Sequence, residues 1–224
     1  MPMPANDAVS FPDVASAAED GLLLMGGQLT EPWILEAYRR GIFPWPIVDE
    51  TEMLLAWFSP DPRAILELDG LHISRRLARR IRSDQFRVTC NCDFTSVLAG
   101  CAEPRRDDEL TWITDELARA YLRLHRRGFA HSIEVWQDDQ LVGGLYGVVQ
   151  GGVFFGESMF SRQRDASKVA LAHLVTRLRD RGFALLDIQQ ATPHLTRMGA
   201  TEISRHDYLQ RLAAGLRKQV QFHG

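Results

Sequence analysis

The sequence predicts an α+β fold, with a small N-terminal domain followed by a larger one in which a central helix packs on a mixed sheet. Three observations predict it. Residues 131–137, 140–150 and 153–160 read as strands separated by turn residues at Asp138-Asp139 and Gly151-Gly152, an antiparallel meander. Residues 167–181 then carry Leu171, Leu174, Val175 and Leu178 on one helical face, and 183–188 form a short apolar strand. Strand-strand-strand-helix-strand-helix is an α+β order, because each one-sided apolar element needs another to cover it.

Composition sets the outer bounds. At 224 residues the chain holds one or two domains, since a domain takes about 150 residues. Hydrophobic residues make up 45% and charged residues 25%, which excludes disordered, collagen-like and fibrous classes. The uncharged stretch 141–156 is shorter than the roughly 18 apolar residues of a membrane span and holds six glycines. A secretory signal opens on basic residues, yet the first Lys or Arg is Arg39, so the cytoplasm is the expected compartment. A net charge of −3 argues against a protein that coats nucleic acid everywhere, while leaving a local basic face open. Arg outnumbers Lys 24 to 2. GC-rich coding bias explains that ratio, and so does a need for planar, bidentate contacts to phosphate or carboxylate.

Taken in order, residues 1–20 lack apolar periodicity and are expected to be a flexible tail. Residues 21–63 form the small N-terminal domain, with a helix over 31–40 and prolines at 44, 46, 60 and 62 that prevent long regular elements. Residues 64–224 form the larger domain. Its first helix is capped by Ser74, with Ile73, Leu77 and Ile81 as the buried stripe. Arg75, Arg79 and Arg82 fall opposite that stripe and Arg76 and Arg80 flank it. Asp115–Arg126 is a further helix, with acids in its first turn and bases near its end, as the helix dipole favours. Helices near 194–198 and 207–216 close the chain. Cys90, Cys92 and Cys101 match no zinc spacing and read as reduced thiols, so no metal is expected.

Sites in such sheets lie where neighbouring strands diverge, here at the ends of 153–160 and 183–188. Glu157 interrupts an apolar strand on the side of Val153 and Phe155, and a carboxylate there needs a partner. It is either an edge-strand Glu reaching solvent or an Arg, or a receptor for a cationic group such as guanidinium. Asp187 and Gln189, two apart at a strand end, project to one face, and the amide can donate to the carboxylate while its carbonyl oxygen faces a substrate donor. They form either a strand-end turn network or a reacting centre. Trp45 and Trp112 stand outside apolar runs and are either core residues or platforms for a nucleobase, worth about 1 to 3 kcal/mol per stacked base.

At these residues the chain resembles the bacterial leucyl/phenylalanyl-tRNA–protein transferases. The matching motifs are Gly-Ile-Phe-Pro-Trp at 41–45, Phe-Ser-Pro-Asp-Pro-Arg at 58–63, Leu-His-Ile-Ser-Arg at 71–75, Thr-Trp-Ile-Thr at 111–114 and His-Ser-Ile-Glu-Val-Trp at 131–136. Gly-Glu-Ser-Met-Phe-Ser at 156–161, Ala-Ser-Lys at 166–168 and Asp-x-Gln at 187–189 complete the set, in family order over 21–212. The resemblance implies a GNAT-like second domain, similar to acetyl-CoA-dependent N-acyltransferases. It also implies transfer of Leu or Phe, and less readily Met, from aminoacyl-tRNA to proteins or peptides with N-terminal Arg or Lys, which marks them for degradation.

By resemblance Glu157 holds the acceptor's basic side chain, and Asp187 and Gln189 stand at the reacting centre. Trp45, Trp112, Tyr38 and Tyr121 match positions around the 3′ adenosine of tRNA. Leu145, Phe154, Met159, Leu171, Leu174, Leu178 and Leu186 form the pocket for the transferred side chain. Arg75, Arg76, Arg79, Arg80 and Arg82 would meet the tRNA backbone. The chain departs from the family at Thr192, where Asn is common, and at Leu174 and Leu178, which replace aromatics and make the pocket roomier.

No cofactor is expected, because the donor ester is already activated and an α-amine with a pKa of about 7.7 to 8.0 is partly neutral at pH 7. Nor is a membrane partner, and the protein is expected to act as a monomer. Two rivals remain. An acetyl-CoA N-acyltransferase would need a glycine-bearing phosphate loop where 162–167 has none, and an RNA-binding module would use the arginine helix without transfer activity.

Overall fold

The computed structural model describes residues 9–48, 53–83, 85–104 and 111–223. The N-terminal part holds a 3₁₀ turn at Val14–Ser16, β1 (Leu22–Met25), α1 (Glu31–Arg39), β2 (Phe43–Pro44), β3 (Ile47–Val48), β4 (Met53–Leu54) and β5 (Ala56–Phe58). Next come β6 (Arg63–Leu66), α2 (Arg75–Arg82), β7 (Arg87–Cys90), α3 (Phe94–Ala102) and α4 (Asp115–Arg126). The meander is β8 (Ala130–Gln137), β9 (Gln140–Gln150) and β10 (Val153–Ser161), and α5 (Ala166–Asp180) and β11 (Leu185–Gln189) follow it. The chain closes with α6 (Pro193–Arg197), β12 (Thr201–Ile203) and α7 (Arg205–Leu216). Among the described residues no helix is long and apolar enough to cross a membrane.

Several helices start at side-chain caps, although α1 and α5 do not. Ser74 accepts from the Leu77 N–H at 3.2 Å and Thr114 from the Leu117 N–H at 3.2 Å, each satisfying a donor that the first turn leaves free. Asp93 does the same for α3 through the Ser96 N–H at 3.0 Å. The stripe predicted for α2 needs correction: Leu77 is buried, but Ile73 precedes the helix and is 40% exposed.

Seven strands form the main sheet in the order β12-β6-β11-β10-β9-β8-β7, and β1-β5-β2 form a small second sheet. β10 and β11 run parallel, and the other pairs of the main sheet are antiparallel. One face packs against α5, through Leu145, Phe154, Leu171, Leu174 and Leu178. The other packs against α1, α3 and α4, through Tyr38, Val97, Tyr121, Tyr146 and Phe155. That second cluster also contains Leu29, Ile34 and Ile42, so the N-terminal segment shares its core with the large sheet.

The tail expected over 1–20 is corrected in its described part. Phe11 is buried, its ring 5.1 Å from Trp33 and 5.0 Å from Trp57, both edge-on, and the Phe11 carbonyl accepts from Arg40. A single aromatic residue in a polar stretch gives no period, which is why the pattern missed it. Phe11→Ala should cost about 3 kcal/mol or more in urea denaturation, the ordinary cost of emptying an aromatic site. A change below about 0.5 kcal/mol would mean that the ring contributes nothing.

Candidate active site

β10 and β11 pair over only three positions, Val153 with Leu185, Phe154 with Leu186 and Phe155 with Asp187, and then part. Each strand is irregular where it leaves the other. The ladder between β10 and β9 slips by one residue between Gly156 and Ser158, leaving Glu157 as the extra residue of a β-bulge. The ladder between β11 and β6 slips between Asp187 and Gln189, and Gln189 has a φ of +58°. The bulge changes which way side chains point: Val153 and Phe155 face the α4 side, yet beyond the slip Met159 packs on the α5 side.

The gap is a cavity of about 820 Å³. Leu145, Met159, Leu171, Leu174 and Leu186 line its apolar part, joined by Ile188. Glu157 and Gln189 are among its polar groups, Trp45 and Trp112 line it as well, and so do Arg162, His194 and Arg197. Sequence reasoning thus named residues that the fold brings together from six separate segments. Phe154 and Leu178, expected in the pocket, are fully buried and do not line the cavity.

The Glu157 carboxylate faces two tyrosines. Tyr121 donates to Oε2 at 2.5 Å, and the Tyr38 and Tyr121 hydroxyls are 2.7 Å apart. The Gln189 amide Nε2 donates to Oε1 at 3.4 Å. Tyr38 and Tyr121 are completely buried, so they present no ring face to a base and instead hold the carboxylate. Burial pushes the Glu157 carboxyl up from 4.5 to about 7, against hydrogen bonds from Tyr121 and Tyr38 that lower it.

Asp187 is fully buried and does not line the cavity. Its Oδ1 accepts from Arg63 Nε at 2.9 Å and from the Gln189 main-chain N–H at 2.9 Å. Its Oδ2 accepts from Arg63 Nη2 at 2.7 Å and from the Tyr208 hydroxyl at 2.7 Å. The expected bond from the Gln189 side-chain amide to Asp187 is therefore replaced by one from the backbone, and the amide turns to Glu157. Arg63 and Tyr208 were missed as site residues. Arg63 stood inside a quoted motif, but nothing in its spacing announced a buried ion pair with a residue 124 positions away.

Trp45 and Trp112 stack on each other, ring centroids 5.0 Å apart at 22°, which leaves no room for a base between them and makes an outer face the available platform. Arg75, Arg76, Arg79 and Arg82 are exposed on α2, outside the cavity. Arg80 is half-buried, over the Phe86 ring and bonded to Gln85. Arg76 reaches Asp165, at the start of α5, at 3.8 Å. Thr192, where the family often has Asn, caps α6 through the Leu195 N–H at 3.2 Å.

Comparison with known proteins decides the family. The family described as leucyl/phenylalanyl-tRNA protein transferase matches residues 65–213, and its N-terminal domain matches 27–61. The chain belongs to this family. Among relatives that carry the name leucyl/phenylalanyl-tRNA–protein transferase, that of Aromatoleum aromaticum is 52% identical over 208 residues, 92% of this chain and 85% of the relative. That of Pseudomonas fluorescens is 48% identical over 212 residues, 94% of this chain and 92% of the relative. Likeness to solved structures is more distant. A GCN5-related N-acetyltransferase from Kribbella flavida is 12% identical, with a TM-score of 0.41 over 74% of this chain and 58% of its own. The C-terminal domain of a putative lysylphosphatidylglycerol synthetase from Agrobacterium fabrum is 10% identical, with a TM-score of 0.41 over 86% and 63%.

Two stability effects follow from the geometry. Between pH 4.5 and 7 the folded protein keeps a proton on Glu157 that the unfolded chain releases, so this group's contribution to stability falls as pH rises through that window. Denaturation of wild type and Glu157→Gln from about pH 4 to 8 should show the wild type losing ground to the variant up to about pH 7 and levelling off above it. A pH-independent difference would contradict the raised carboxyl. The Tyr146 hydroxyl, buried in the same wall, has no hydrogen-bond partner among the described residues. Tyr146→Phe should therefore gain about 1 kcal/mol in the same assay, because an unsatisfied buried hydroxyl is removed.

Proposed function

We propose that the chain transfers leucine or phenylalanine, and less readily methionine, from aminoacyl-tRNA to the α-amine of a protein with N-terminal arginine or lysine, marking that protein for degradation. The observation that supports this best is the contact between Glu157 and Gln189 in one cavity with an apolar lining. The carboxylate suits the cationic end of the acceptor. The apolar lining suits the transferred side chain.

The amide orientation assigns the roles. With Nε2 of Gln189 given to Glu157, its Oε1 remains to accept a hydrogen bond from the attacking α-amine. The amine nitrogen bonds to the ester carbonyl carbon, the bond to the ribose oxygen breaks, and the amine proton ends on that leaving oxygen. A glutamine amide is too weak a base to keep a proton, so Gln189 orients, and proximity supplies most of the acceleration, with effective molarities of about 10⁵ M or more. Asp187 acts as a positioning residue through the Gln189 backbone, where the family resemblance had placed it at the reacting centre.

On the donor side, Leu145, Met159, Leu171, Leu174 and Leu186 receive the side chain. A slot of this kind discriminates by only about 1 to 3 kcal/mol per methylene, so selectivity is graded. An outer face of the Trp45–Trp112 stack takes the terminal adenosine, and the α2 arginines take backbone phosphates. The protein works as a cytoplasmic monomer and needs no cofactor.

Incubating Leu-tRNA with an Arg-initiated peptide should yield the Leu-Arg product by mass. Glu157→Gln should raise the acceptor KM about tenfold or more, the usual cost of losing a charged hydrogen-bond partner. Gln189→Ala should lower kcat with little change in donor KM. Product formation at the wild-type rate in both variants would sink the assignment.

A further inference from the structure

We infer that Arg63 is a positioning residue shared by both substrates: its guanidinium braces the loop that carries Trp45 against the turn that carries Gln189. The inference rests on the reading above, in which Trp45 serves the tRNA end and Gln189 the amine. Arg63 is fully buried, so protein groups alone satisfy it. Nε and Nη2 fork onto the two oxygens of Asp187 at 2.9 and 2.7 Å, a bidentate geometry that fixes the plane of both groups. Nη2 also lies 3.4 Å from the Tyr208 hydroxyl, and Nη1 donates to the Gly41 carbonyl at 3.1 Å. The guanidinium carbon lies 4.8 Å from the Phe43 ring centroid and 4.5 Å from that of Tyr208. Burial is the largest influence and works against the charge, but Asp187, Tyr208 and Glu157 together outweigh it and hold Arg63 cationic.

One arm of this brace leads to Gln189. A non-glycine residue at φ +58° is strained and persists only where its surroundings over-determine it. Asp187 does so by accepting the Gln189 N–H, and all four of its acceptor positions are occupied, by Arg63 twice, Gln189 and Tyr208. The other arm leads to Trp45. Gly41 starts the 41–45 segment at φ +75°, where a Cβ would lie 2.8 Å from the Tyr208 ring. Phe43 meets Trp45 edge-on at 6.4 Å, and Trp45 stacks on Trp112. Lysine cannot replace this arrangement, because a point charge with three donors has no planar fork and no stacking face. A buried ion pair adds little net stability, so its geometry is the reason to look for its role.

The test is steady-state kinetics with Leu-tRNA and an Arg-initiated peptide, on variants shown by thermal melting to be folded at the assay temperature. Tyr208→Phe removes only the hydroxyl on Asp187. It should lower kcat about tenfold and leave the donor KM within twofold. Arg63→Lys should lower kcat about 100-fold, as a displacement of about 1 Å does, and raise the donor KM at least fivefold with the acceptor KM unchanged. Phe43→Leu strips the ring from the loop side alone and keeps the test decisive if Arg63→Lys does not fold; it should raise the donor KM at least threefold. Wild-type kcat in Tyr208→Phe overturns the Gln189 arm, and wild-type donor KM in Phe43→Leu or in folded Arg63→Lys overturns the Trp45 arm. Full turnover in Gln189→Ala would instead overturn the orienting role proposed for Gln189, and with it the Gln189 arm, and leave the Trp45 arm to the donor KM.

Discussion

Everything at the centre of this molecule depends on two parallel strands that stay together for three residue pairs and then separate. Hydrogen bonding holds β10 to β9 and β11 to β6 on their outer sides, so neither strand collapses into the space between them. Each takes up the divergence as a local slip in its ladder, and the slips fall at Glu157 and next to Gln189. The polar pair at the cavity is thus a product of backbone geometry as much as of residue type.

The polar groups behind the cavity are layered. Tyr38 and Tyr121 form a buried layer behind Glu157, and Arg63, Asp187 and Tyr208 form another behind Gln189. Rigid second layers keep reacting groups within a few tenths of an ångström of a productive arrangement, and a low-dielectric wall strengthens every charge facing the cavity. The raised Glu157 carboxyl is the cost of that wall, and a cationic ligand would offset it by favouring the ionised form.

Much of this was legible in the sequence because it is periodic or local. The meander and α5 followed from apolar spacing and α4 from the charges at its two ends, within a residue or two, and the divergence of the strands was expected from element order. What was not legible is long-range. Glu157 was noticed as an anomaly in an apolar strand, but the bulge that turns Met159 to the opposite face leaves no trace in a period-two pattern. Tyr38 and Tyr121 were assigned to a surface that their complete burial denies them, because motif membership gives no depth. Phe11 shows the same limit: one ring between Trp33 and Trp57 docks a segment that has no pattern of its own.

The one-residue slip at Glu157 also divides the labour of the sheet. Glu157 is backed from the side of α1 and α4, whereas Leu171 and Leu174 reach the cavity from α5 on the reverse side. Substitutions on α5 can therefore widen or narrow the apolar slot without disturbing the tyrosines behind the carboxylate. Under the roles proposed for these residues, donor and acceptor preferences are free to drift independently during evolution, one through α5 and the other through α1 and α4.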